Sequence, residues 1–190
     1  MIDYLVRNAT LSAYVAGASW IADSIALVVF FAGVGIFGPI NDAISVFQFL
    51  FLIPVALALH RILARHAPTV SLGAAAVGIA GMLGVAVLQA LLVLGQVRFE
   101  QMFKPVLALS AVVGVWWLAT SIIALGYGAL PAGLAWVGVA AGVSSIVGMV
   151  GFWFWGYEHP LAATGFLAVT VCAPIWAFWL ARVLALGRIP

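Results

Sequence analysis

The chain has 190 residues, 67% of them hydrophobic and 6% charged, with a formal net charge of +2. Soluble domains carry about 45 to 50% apolar and about 25% charged residues, so a mean hydropathy of +1.29 excludes a water-soluble globule. The seven basic residues sit near segment ends and form no basic stripe, which argues against nucleic acid. The single cysteine, Cys172, rules out an internal disulfide or a thiolate cluster.

Inside a bilayer only helices and closed barrels satisfy their own backbone, and uninterrupted apolar runs of about twenty residues select helices. The N-terminal MIDYLVRNATLS lacks the basic region, apolar core and small-residue cleavage site of a signal peptide, and reads as mature chain leading into the first span. Six spans are expected, at about 14–36, 44–63, 71–94, 105–125, 131–155 and 161–184, each long enough for a hydrocarbon core of about 30 Å. The first is expected to stop at FGPIND, with Gly38 and Pro39 ending the helix and Asp42 in water. The third leads into the polar stretch GQVRFEQMFK, read as a loop, and Pro105 opens the fourth. Arg7, Arg61, Arg65, Arg182 and Arg188 fall on one side and Arg98 and Lys104 on the other, so the excess places both termini in the cytoplasm. Phe152, Trp153, Phe154, Trp155 and Tyr157 then form an outer aromatic belt, with Trp20, Trp136 and Trp179 toward the inner side. The expected fold is all-α: a six-transmembrane-helix bundle forming one membrane domain over residues 1–190.

Two hairpins look alike. Pro54 and Pro174 sit at similar places in the second and sixth spans, and Gly17, Ser19, Trp20 in the first span match Gly133, Ala135, Trp136 in the fifth, the pattern of a parallel repeat. Gly78, Gly81 and Gly84 line the third span, and Gly138, Gly142 and Ser145 the fifth. Such faces let helix backbones approach, either within the bundle or in a homo-oligomer.

Most chemical motifs fail on context. Gly33, Gly35 and Gly38 satisfy G-x-G-x-x-G, but a dinucleotide site needs a preceding strand. Gly17, Ala18 and Ser19 are followed by Trp20, and no intramembrane histidine stands ready as a base. His60 and His66 point to different helix faces, and Glu158 and His159 sit at the opposite surface, so no metal site forms. His60 reads as a boundary residue. Asn8 to Thr10 match a glycosylation sequon on the side read as cytoplasmic. No catalytic residues are assigned, and no cofactor is identified.

Asp23 is the exception, an acid within an apolar run, and such residues mark function or a specific partner. Counted from the start of the predicted span, it lies about 13 Å deep. One reading makes it a protonated hydrogen-bonder to a neighbouring helix, or, if the span begins later, an acid near the interface. The other makes it the counter-ion of a small cation, amine or hydrophobic molecule in a cavity between the first, second and sixth spans. The candidate lining is Trp20, Ser19, Gln48, Trp116, Trp117, Ser144 and Thr170, because aromatic faces attract positive charge and the rest supply polar groups at several depths. Pro174 frees the Thr170 carbonyl for such a role.

WWLATSIIALGYGALPAGLAWVGVAAGV across the fourth and fifth spans and IWAFWLARVL near the end resemble bacterial six-helix integral membrane proteins grouped as a domain of unknown function, with the likeness concentrated in residues 113–186. The resemblance implies a six-helix fold in a bacterial cytoplasmic membrane and no catalytic residues. The leading expectation is small-ligand binding or transport near Asp23. The alternative is an accessory subunit of a larger membrane complex. An enzyme ranks third, since no acid and base converge at one depth.

Overall fold

Six helices follow one another through the chain: α1 (Ile2–Phe31), α2 (Phe37–Leu63), α3 (Pro68–Val93), α4 (Phe99–Tyr127), α5 (Ala132–Trp155) and α6 (Pro160–Ala185). The computed structural model describes residues 2–156 and 158–187, with side chains from Asn8 onward; the expectations placed on the Arg7 side chain and on Tyr157, Arg188 and Pro190 lie outside the described residues. All six helices are long and apolar enough to cross a membrane, and no strand occurs among the described residues. The fold is consistent with a multi-pass membrane protein.

Two predicted boundaries shift, each for a local reason. The α1–α2 break falls at residues 32–36, where Gly33 takes φ 98°, and Gly38 and Pro39 lie inside the first turn of α2 instead of ending α1. A proline is tolerated there because first-turn N–H groups have no intrahelical acceptor. Asn41 and Asp42 are thereby drawn into the helix. Likewise α4 starts at Phe99, within the stretch read as a loop, because Gln101 Oε1 accepts the Arg98 N–H at 3.1 Å and caps the helix start. The other end of α4 closes on Gly128, whose φ of 64° is the left-handed conformation that glycine adopts without strain.

Each helix packs on its neighbour in sequence, and α1 closes against α6, so the bundle is a ring. Its centre is filled by large side chains: Trp116, Trp117, Trp176, Leu52, Met82 and Leu180 are all at most 1% exposed. Its outside presents Leu11, Val28, Val70, Ile122 and Leu167, an apolar surface too extensive for a soluble monomer. The small-residue faces lie inside this arrangement. Gly78 lies against the Trp116 ring, and a Cβ on Gly142 would stand 2.7 Å from the Leu118 backbone nitrogen. Gly17 and Gly133, equivalent in the proposed repeat, make non-equivalent contacts: Gly17 meets Phe178 across the ring closure, whereas Gly133 meets Trp179 within its own hairpin.

Candidate functional site

The polar residues of α2 recur at Asn41, Ser45 and Gln48, a spacing that puts them on one helix face. That face meets α1 at Asp23. Asn41 Nδ2 donates to Asp23 Oδ1 at 2.8 Å and to the Asp23 backbone carbonyl at 3.0 Å, and Ser45 Oγ donates to the same Oδ1 at 2.8 Å. Both side-chain donors converge on one oxygen, so Oδ2 takes no part in these bonds. Oδ1 thus acts as an acceptor for two neighbouring donors on α2. Asp42 brings a second carboxylate to the same end of the hairpin.

The depth of Asp23 differs from expectation. Because α1 starts at Ile2, Asp23 stands about 12 Å along the axis from the Phe31 end and much farther from the other end. The carboxylate therefore sits toward the α1–α2 turn.

One helical turn deeper, Trp20 begins an aromatic group that spans the ring. Its centroid lies 6.0 Å from Trp117 on α4 and 6.5 Å from Phe49 on α2. Trp116, Trp117 and Trp176 form a mutual triad with centroid separations of 5.7 to 5.9 Å, and Trp176 of α6 stands nearly perpendicular to both partners, at 83° and 82°. Edge-to-face contact sets the positive ring edge against the negative face. Gly138 of α5 makes room for this triad: a Cβ there would collide with Ser121 Oγ and lie 2.8 Å from Trp176 Nε1.

The group is short of hydrogen bonds. The indole nitrogens of Trp20, Trp116, Trp117 and Trp176 and the Oε1 atoms of Gln48 and Gln89 are buried with no partner among the described residues. Interiors leave few such atoms, and each costs about 1 to 3 kcal/mol unless something satisfies it. The Thr120 hydroxyl directs its hydrogen back to the carbonyls of Trp116 and Trp117, at 2.8 and 3.1 Å, and so has none to give to a glutamine oxygen.

No family model, curated protein or solved structure matches this chain. What the site can do is argued from its own chemistry.

Of the residues proposed from sequence, the fold gathers Trp20, Trp116 and Trp117 into one contact group, with Gln48 on α2 beside Phe49 and Asp23 one turn from Trp20. Ser19 is half-buried before Trp20 on α1. Ser144 stands at the α5–α6 crossing, where its carbonyl faces Gly165, and Thr170 is half-buried farther along α6; no hydrogen bond among the described residues joins either to the tryptophans. Three participants escaped the sequence reading. Asn41 fell before the start assigned to the second span, at about residue 44, and Ser45, just inside it, was not singled out, although their spacing with Gln48 is a polar stripe. Trp176 was read only as part of IWAFWLARVL, the stretch that carries the resemblance.

His60 also has a structural partner. Its Nδ1 lies 3.0 Å from Ser71 Oγ, and that hydroxyl donates to the Pro68 carbonyl at 3.1 Å. When the serine hydrogen goes to the Pro68 carbonyl, His60 Nδ1–H is the donor; in either direction the bond ties α2 to the start of α3. Groups of three or more metal-ligating side chains are absent among the described residues.

Proposed function

We propose that this is a multi-pass protein of a bacterial cytoplasmic membrane, with both termini in the cytoplasm, that binds and conducts a small organic cation or protonated amine at Asp23. The observation that carries the reading is the asymmetric grip on the carboxylate. Asn41 and Ser45 fix Oδ1 while Oδ2 stays out of their bonds, and among the described residues no basic side chain pairs with Asp23. Trp20, one turn deeper, offers the aromatic surface on which a cation gains further stabilisation. The rest of the tryptophan group closes the ring beneath it.

The orientation rests on Arg61, Arg65 and Arg182 at one face against Arg98 and Lys104 at the other, and the bacterial setting only on the resemblance expected from the sequence of residues 113–186. The accessory-subunit alternative draws less support, because the small-residue faces that would meet a partner are engaged inside the ring.

The test is titration of the protein in lipid nanodiscs with tetramethylammonium and n-butylammonium, read by tryptophan fluorescence. Asp23→Asn keeps the size of the side chain and one oxygen able to accept from Asn41 and Ser45, and removes the charge. It is expected to weaken binding by about tenfold or more, a difference of about 1.4 kcal/mol or greater, with helicity by circular dichroism unchanged. Binding that is equal in the two proteins would remove Asp23 from the site.

A further inference from the structure

A second feature lies on the outside of the ring, away from Asp23. α4 and α5 touch most closely where Gly114 meets the Gly142 carbonyl and Ser145. Between this crossing and the Phe99 end of α4 lies an outward-facing groove of about 260 Å³, walled by Leu107, Ala108 and Ala111 of α4 and by Val150, Trp153 and Phe154 of α5. Its walls are apolar, and its volume is below the roughly 300 to 1,000 Å³ of a pocket for a compact small molecule. Such apolar walls offer a surface to a hydrocarbon chain.

The mouth of the groove carries a charge. Lys104 stands one turn before Leu107 and Ala108 on the same helix face, and its Nζ lies 5.6 Å from the centroid of Trp153, a wall of the groove. Among the described residues no carboxylate lies within ion-pair distance of Lys104, Glu100 one turn earlier included. The start of α4, a turn away, adds the partial positive charge of a helix N-terminus. An apolar channel topped by an uncompensated ammonium and an indole is complementary to one class of molecule, with acyl chain below and phosphate above.

We propose that the α4–α5 groove is a binding site for an anionic phospholipid, one acyl chain lying along Ala108 and Ala111 and the phosphate held by Lys104. Trp153 serves both halves, packing on the chain and holding the ammonium over the headgroup. The site is independent of the Asp23 reading and stands or falls separately.

Lipids with brominated acyl chains quench nearby tryptophans and so test the site directly. The protein has eight tryptophans, so the signal is the part of the quenching lost in Trp153→Phe. In nanodiscs with an unbrominated phosphatidylcholine background, brominated phosphatidylglycerol should quench that component at a several-fold lower mole fraction than brominated phosphatidylcholine. Lys104→Gln should bring the two lipids level, Lys104→Arg should restore the preference, and Ala108→Phe should abolish quenching of this component by either lipid. Equal quenching by the two lipids in the unaltered protein overturns the proposal, as does a preference that survives Lys104→Gln. The unaltered protein and Trp153→Phe together decide the first point, so a Lys104 or Ala108 variant that fails to fold leaves the question answerable.

Discussion

Ser45 and Gly138 show how much hangs on single atoms in this ring. Ser45 Oγ is one of two side-chain donors to Asp23 Oδ1, and interhelical hydrogen bonds in membranes average about 0.6 kcal/mol, reaching about 1.7. Ser45→Ala is therefore expected to destabilise the α1–α2 pair by about 0.6 to 1.7 kcal/mol. A double-mutant cycle with Asp23→Ala, which removes the acceptor, followed by denaturant unfolding in mixed micelles, should show non-additive losses; strict additivity would mean the bond contributes nothing. Gly138 acts by absence, since any Cβ meets Ser121 Oγ and Trp176 Nε1. Overpacking of this kind costs about 1 to 3 kcal/mol. Gly138→Ala should lower stability by that amount, and Ser121→Gly in the same chain should recover part of it. Asp23 was conspicuous in the sequence because a lone acid in an apolar run has no bland compositional origin. Its partners were not, because serine and asparagine are common enough near span ends that only the helix register shows which face they share.

Among the helices, the apolar runs made the number and approximate position of the elements legible, while their ends were obscured by residues with two meanings. Pro39 and Pro105 read as helix starts or stops, yet both lie within helices. Glycine faces were readable as contact surfaces, but not what they contact: Gly78 of α3 makes room for Trp116 of the next helix, α4. The His60–Ser71 bond is a property of the α2–α3 pair, and its direction is testable. Nitrogen-15 spectra of selectively labelled histidine should show His60 protonated at Nδ1 when neutral, and Ser71→Ala should release that preference. A neutral ring protonated at Nε2 in the unaltered protein would contradict the assignment.

For the whole molecule, the sequence contains no local sign of ring closure, because α1 and α6 are the two elements farthest apart along the chain. Closure shows in the contact of Gly17 with Phe178, where a Cβ on the glycine would lie 3.1 Å from the ring. With Cys172 replaced by alanine, the pair Gly17→Cys and Phe178→Cys should form a disulfide under mild oxidation in membranes; failure of this pair, with a control pair on α1 and α2 cross-linking normally, would contradict the closed ring. The closure also gives assembly a direction. Five of the six helices can pack on a neighbour already made, so hairpins associate as they emerge, and domains built from early segments form first during synthesis. α6 comes last, and it brings both the second side of the α1 seam and Trp176. Until it arrives, the other tryptophans face an open crevice, so the final helix seals the seam and completes the interior in one step.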